Sequence, residues 1–185
     1  MNDSQNPWKI LSQKEVYENP WIGLTEYDVI NPSGGKGIYG KVHFKNLAIG
    51  IIPLDEKMNT WLVGQYRFTL NQYSWEIPAG GGDPTIDAIE SAKKELKEET
   101  GIVAGKWEII SRIHLSNSVT DEYGIIFLAR ELSEGPSSPE ETEDLVIRKL
   151  PFEEAYKMTI NGQITDSVSV AAIQRVKLMI LEGMI

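Results

Sequence analysis

The sequence predicts a mixed α+β fold in which helices sandwich a mixed β-sheet, with a β-hairpin extension at the N-terminus. Three observations carry this expectation. Alternating and β-rich runs fill the first two thirds of the chain, one sharply bounded helical pattern interrupts them between Asp83 and Gly101, and two more helical patterns close the chain. A helix against each side of the sheet is the simplest cover for two apolar faces. With 185 residues, 41% hydrophobic and 24% charged, the chain is long enough to bury a core as one globular domain with a short appended element.

Taken in order, "GLTEYDVINPSGGKGIYGKVHF" from Gly23 to Phe44 reads as two strands joined by the Asn31-Pro32-Ser33-Gly34-Gly35 turn. "LAIGIIPLD" is apolar enough to be a strand buried on both faces, and "TWLVGQYRF" follows as another. "YSWEIPAGGG" is a short strand entering a glycine turn. "DPTIDAIESAKKELKEETG" is a helix with Asp83 as N-cap, Pro84 at the first helical position and Gly101 just past its end. "KWEIISRIHL", "YGIIFLAREL" and "EDLVIRKLP" are strands, with the polar "SEGPSSPEETE" between the last two. "FEEAYKMTING" and "TDSVSVAAIQRVKLMILEG" are the closing helices, the second holding Val168, Ala171, Ala172, Val176, Met179 and Ile180 at helical spacing.

Composition excludes several functions. A net charge of −9 opposes sequence-independent binding of nucleic acid, which needs a basic surface. No cysteine is present, so disulfides, thiolate zinc sites and cysteine nucleophiles are absent, in keeping with a reducing compartment. There is no signal-peptide pattern and no run of ~18 apolar residues, so a cytoplasmic protein without a membrane partner is expected. The two histidines, His43 and His114, read as strand residues, which leaves acid-base chemistry near neutral pH to carboxylates.

"KKELKEETGI" gathers Glu95, Glu98 and Glu99 at a helix C-terminus, which already carries partial negative charge. Ala88, Ala92, Glu95 and Glu99 share one stripe, while Ile86, Ile89 and Leu96 point elsewhere to pack. The three carboxylates can converge beyond the last turns, where a hard divalent cation would cancel their charge; a solvated acidic face is the alternative. Gly80, Gly81 and Gly82 stand in front of the helix, where backbone can approach a ligand.

From Gly80 to Ile102 the chain resembles the Nudix box: Gly, five residues, Glu, seven residues, then Arg-Glu-aliphatic-x-Glu-Glu-x-Gly-aliphatic. Gly80, Glu95, Leu96, Glu98, Glu99, Gly101 and Ile102 match at the required spacing. Ile86 stands in place of the first glutamate, and Lys94 replaces the arginine that braces the acids. Lys94 can pair with Glu90 or Glu98 but lacks a guanidinium fork.

The flanks resemble the ADP-ribose and nucleoside diphosphate sugar pyrophosphatase branch. "LVGQYRFTLNQYSWEIPAGG" is similar to its Gln-Tyr-Arg strand followed by Trp-Glu-aliphatic-Pro-Ala-Gly, and "INGQITDSVSVAAIQ" to its closing stretch. The resemblance implies a Nudix fold over residues 45–185 behind an N-terminal β extension over residues 1–44 that serves dimerisation. It implies Mg²⁺, with Mn²⁺ as a substitute, held by Glu95, Glu99, the Ala79 carbonyl and Glu143. Glu98 and Lys94 stand beside these ligands. Glu141 resembles the general base, although Glu140 and Asp144 compete with it and with Glu143 in the same loop. Arg67, Gly80 and Gly81 would contact substrate; an ion pair at the strand end is the other reading of Arg67. Trp21 and Tyr39 match an aromatic pair that sandwiches the base in a homodimer with shared sites, although strand aromatics are ordinarily core.

The implied activity is Mg²⁺-dependent hydrolysis of the pyrophosphate bond of a nucleoside diphosphate sugar, ADP-ribose first, into a nucleoside monophosphate and a sugar phosphate. A GDP-mannose or broad nucleotide-sugar preference is one alternative. A Nudix-like module that binds a nucleotide sugar without cleaving it is another, favoured by Ile86 and Lys94 and opposed by the intact Glu95, Glu98 and Glu99.

Overall fold

A computed structural model describes residues 5–135 and 145–185. The chain forms two compact units, Met1–Asn46 with Ser116–Glu122, and Leu47–Leu115 with Tyr123–Ile185.

The first unit is a three-stranded antiparallel sheet, β1 (Lys9–Glu18), β2 (Ile22–Ile30) and β3 (Lys36–Phe44), with β2 in the middle. Asn31 makes the β2–β3 turn by accepting the amides of Ser33 and Gly35, both at 3.0 Å, while Gly34 takes a left-handed φ of 85°. Sequence periodicity does not announce β1. All ten of its residues are exposed and its register slips twice, so no buried face imposes alternation. The segment 116–122 joins this unit through a parallel bridge from Val42 to Thr120 and through the Asp121 carboxylate, which accepts the Phe44 amide at 3.0 Å and meets His43 Nδ1 at 2.8 Å.

The second unit carries two sheets. One has the order β10-β5-β6, from β5 (Asn59–Arg67), β6 (Gln72–Glu76) and β10 (Val146–Pro151). The other is β7-β4-β9-β8, from β4 (Leu47–Pro53), β7 (Ala79–Gly82), β8 (Ile102–His114) and β9 (Tyr123–Glu134). It is mixed, because β4 and β9 run parallel while β7 and β8 are antiparallel to their neighbours. Among the described residues three helices follow the expected order: α1 (Ala88–Thr100), α2 (Phe152–Ile160) and α3 (Ser167–Leu181).

Alternation along β4 and β9 explains the sandwich. Ile49, Ile51, Ile125, Phe127 and Ala129 turn to one face and pack with Ala92 and Leu96 of α1. Ile52, Ile126 and Leu128 turn to the other and pack with Phe152 and Ala155 of α2 and Val168, Ala172 and Val176 of α3. Both faces of these strands are therefore covered, as their unbroken apolar composition requires. The two histidines lie on strands, His43 in β3 and His114 in β8.

Three expectations about the segment before α1 are corrected. The helix begins at Ala88 with Asp87 as N-cap, accepting the Ile89 amide at 3.2 Å, and not at Asp83. Asp83 instead closes its own turn, taking the Thr85 amide at 2.8 Å and the Thr85 hydroxyl at 2.6 Å. Ile86 falls in that turn, outside the helix, and is 51% exposed, so it does not pack. The Gly80-Gly81-Gly82 run is also not a turn. It belongs to strand β7, because β4 offers its edge from Leu47 to Gly50 for pairing.

Candidate active site

The glycines of β7 are required by what lies on them. A Cβ at Gly80 would come within 2.3 Å of the Glu95 carboxyl, and one at Gly82 within 2.8 Å of Ile49. Helix α1 can therefore lie against β7 and lay the Glu95 carboxylate on bare backbone. One turn later the Glu99 side chain, 2% exposed, accepts the Ala79 amide through Oε2 at 3.0 Å. A carboxylate buried this deeply is retained only with polar or cationic partners.

Glu98 does not join them. Its carboxylate is 3.1 Å from Lys94 Nζ, and the same ammonium is 3.8 Å from Glu95 Oε1. One step of about 100° around the helix separates Glu98 from Glu99, which turns it toward lysine and not toward β7. Glu90, the other expected partner of Lys94, pairs with Lys93 at 2.7 Å. The expected convergence of three carboxylates is thus corrected: among the described residues no group of three Asp, Glu or His side chains could hold a metal ion.

Between β6 and β7 the segment Glu76-Ile77-Pro78-Ala79 is tied at each residue. Glu76, 4% exposed, receives Arg67 through both carboxylate oxygens, Arg67 Nε lying 2.8 Å from Oε1 and its Nη2 on Oε2. These bonds hold the Arg67 guanidinium above its ordinary pKa against the opposing effect of burial, with the charges of Asp166 and Glu99 adding to them. The Ile77 amide donates to Ser169 Oγ at 3.0 Å, the Pro78 carbonyl accepts the Ile51 amide at 2.9 Å, and Ala79 donates to Glu99. Ser169 Oγ in turn donates to Asp166 Oδ2 at 2.7 Å, beside the 2.8 Å bond from its own amide that caps α3. Glu76, Ser169 and Asp166 were not among the residues expected to build the site. Their signal lay in the Trp-Glu-Ile-Pro-Ala-Gly and Asp-Ser-Val-Ser stretches, read for resemblance and not for partners.

Glu141 and Glu143, with Glu140 and Asp144, fall outside the described residues. Trp21 is 67% exposed at the entrance to β2. Tyr39 stands opposite Tyr27 on β3, its hydroxyl donating to the Ser118 carbonyl at 2.6 Å and its ring meeting Trp8 edge-on at 5.3 Å. It borders a cavity of about 400 Å³ lined also by Trp8, Tyr27, Lys41 and Thr120. Six residues of strand, ~20 Å, separate the register of Trp21 from that of Tyr39, so a single chain cannot close both rings on one base.

The donor chemistry suits a hard divalent cation. Glu95 and Glu99 sit four residues apart beside the Ala79 and Gly80 backbone, offering oxygen and no softer ligand, and the bare Gly80 leaves the Glu95 carboxyl the space a Cβ would take. Among the described residues no helix is long and apolar enough to cross a membrane.

Known proteins are similar to this chain over most of its length. Residues 8–42 match the family described as nucleoside diphosphate sugar hydrolase N-terminal domain. The chain is 28% identical over 178 residues to an ADP-ribose pyrophosphatase of Mycobacterium tuberculosis, covering 92% of this chain and 83% of that one. It is 28% identical over 172 residues to an ADP-ribose pyrophosphatase of Bacillus subtilis, covering 92% of each. A crystal structure of an ADP compounds hydrolase superposes with a TM-score of 0.85 at 20% identity over 98% of this chain and 99% of that one, a likeness of fold. Residues 44–169, well over half of the chain and the whole of the β7–α1 site, match the family described as NUDIX domain, and the chain belongs to the Nudix family.

Proposed function

We propose that this protein hydrolyses the pyrophosphate bond of a nucleoside diphosphate sugar, with ADP-ribose as first substrate, and that it does so as a divalent-metal-dependent Nudix hydrolase. The observation that carries the reading is the seating of Glu99 on the Ala79 amide with Glu95 laid on Gly80, which brings two carboxylates onto one strip of backbone. The ADP-ribose pyrophosphatases that the chain resembles over 92% of its length support the substrate.

Glu95, Glu99, the Ala79 carbonyl and Glu143 would hold Mg²⁺, or Mn²⁺ in its place. When bound, such an ion would neutralise charge on the pyrophosphate and lower the pKa of a bound water. Arg67, held charged by Glu76, would meet a phosphate oxygen, with the Gly80 and Gly81 backbone nearby. Water adds to one phosphorus as the bridging P–O bond breaks, its proton passing to the Glu141 carboxylate, and a nucleoside monophosphate and a sugar phosphate leave. Trp21 and Tyr39 would stack the base, each site being shared between the subunits of a homodimer.

The deciding experiment measures AMP release from ADP-ribose in magnesium buffer, with and without EDTA, beside GDP-mannose and a nucleoside triphosphate. Metal-dependent AMP release, faster than cleavage of the other two, is expected. The hold of Lys94 on Glu98 and Glu95 favours a second reading, binding without cleavage. Saturable ADP-ribose binding with no AMP formed at any metal concentration would establish that reading in place of the first.

A further inference from the structure

Ser169 is fully buried and its hydroxyl is used twice, accepting the Ile77 amide at 3.0 Å and donating to Asp166 Oδ2 at 2.7 Å. It is therefore a link between two parts of the fold. On one side is the capped start of α3, whose Asp166 already accepts the Ser169 amide at 2.8 Å. On the other is the Glu76–Ala79 segment, which anchors Arg67 through Glu76 and Glu99 through Ala79.

We propose that Ser169 is a positioning residue for the metal-binding acids: through Ile77 it sets the height of Ala79 against Glu99. This rests on the reading of Glu99 and Ala79 as part of a hydrolytic metal site. The physical case comes from counting bonds. Pro78 has no amide, so the Ile77 amide is the donor just upstream of Ala79 that a helix-borne side chain can grip. Its 3.0 Å bond to Ser169 and the 2.9 Å bond from Ile51 to the Pro78 carbonyl hold the segment from two directions. Without the hydroxyl the buried Ile77 amide loses its acceptor and Asp166 loses a donor. The segment then shifts to re-satisfy them, taking the Ala79 amide away from Glu99 Oε2. Only a side chain that donates and accepts at once can fill this place, which a helix cap alone would not require.

The test compares Ser169→Ala, Ser169→Cys and Ser169→Thr with the parent and with Glu99→Gln. It measures Mn²⁺ affinity by electron paramagnetic resonance without substrate, the Mg²⁺ concentration for half-maximal activity, KM at saturating metal, and Tm. Ser169→Ala and Ser169→Cys are expected to weaken Mn²⁺ binding and raise the half-activating Mg²⁺ by ~10-fold or more, with KM changed under ~3-fold. Ser169→Thr, which keeps the hydroxyl, should recover most of both. If alanine prevents folding, the cysteine variant, whose thiol donates and accepts only weakly, gives the same comparison. Metal affinity within ~2-fold of the parent in the cysteine or alanine variant, whatever the Tm, overturns the inference. The Glu99→Gln control separates the two failures, since full activity there sinks the metal site itself.

Discussion

Lys94 Nζ stands 3.1 Å from Glu98 Oε2 and 3.8 Å from Glu95 Oε1, so one ammonium group touches two of the three acids at the end of α1. An arginine belongs at this position of the Nudix box, with a glutamate at the place of Ile86. Here Ile86 lies in the turn before the helix and is 51% exposed, so it gives a guanidinium nothing to bind. Lys94→Arg is therefore expected to lower kcat, about 3- to 10-fold, because the larger fork would pull on Glu95 without its second partner. A several-fold rise in kcat from this single change would show that lysine is only a weakened brace.

Gly80→Ala separates function from stability. The added Cβ would lie 2.3 Å from the Glu95 carboxyl, which is the far end of a flexible side chain and can swing aside. Gly80 has no positive φ, so alanine strains no backbone, and restricting the unfolded chain offsets about 0.4–1 kcal/mol of any loss. The expected outcome is a Tm within a few degrees of the parent and an activity ~10- to 100-fold lower, with more Mg²⁺ needed. Parent-like activity would remove Glu95 from the metal site.

Trp21 is tested by substitution and by mixing. Trp21→Ala should raise KM about 5- to 150-fold with kcat much less affected, since losing a stacking ring costs ~1–3 kcal/mol per base. If sites are shared in a homodimer, mixing Trp21→Ala with Glu99→Gln lets some dimers carry both lesions in one site and none in the other. Tight, active sites should then reappear. A mixture in which every active site keeps the raised KM of Trp21→Ala after verified subunit exchange, or a monomer by sedimentation at assay concentration, rules out shared sites.

Asp121 provides a pH dependence. Burial pushes its carboxyl up, but the hydrogen bonds from His43 and the Phe44 amide and the His43 and Lys41 charges outweigh it, leaving it below the ordinary value. A depressed carboxyl adds stability that is full above its unfolded pKa of ~3.9 and is lost as pH falls through the folded value. Hydrogen exchange at the Val42 and Asp121 amides, which pair with the Val119 and Val42 carbonyls, reads the affected segment. Asp121→Asn should speed exchange at pH 6–7 and lose its difference from the parent as pH falls through the lowered folded value of the carboxyl. A difference that persists undiminished there would assign the effect to packing.

By itself the sequence determined the class of fold and the chemistry of the acids. Unbroken apolar strands such as Leu47–Pro53 admit no arrangement but cover on both faces, and a helix ending in Glu95, Glu98 and Glu99 before Gly101 is a local pattern legible at fixed spacing. Tertiary structure alone decided which acids meet. Glu99 reaches the Ala79 amide across twenty residues, Glu98 turns to Lys94, and Arg67 is engaged by Glu76, none of which follows from spacing along one element. The Gly80–Gly82 run shows the same division: its composition suits a turn equally well, and it became a strand because β4 offered an edge and α1 needed bare backbone beneath Glu95. β1 escaped periodicity because no face of it is buried. Local patterns record what a residue does to its own backbone, whereas partners that satisfy buried polar groups are chosen only when distant segments are brought together.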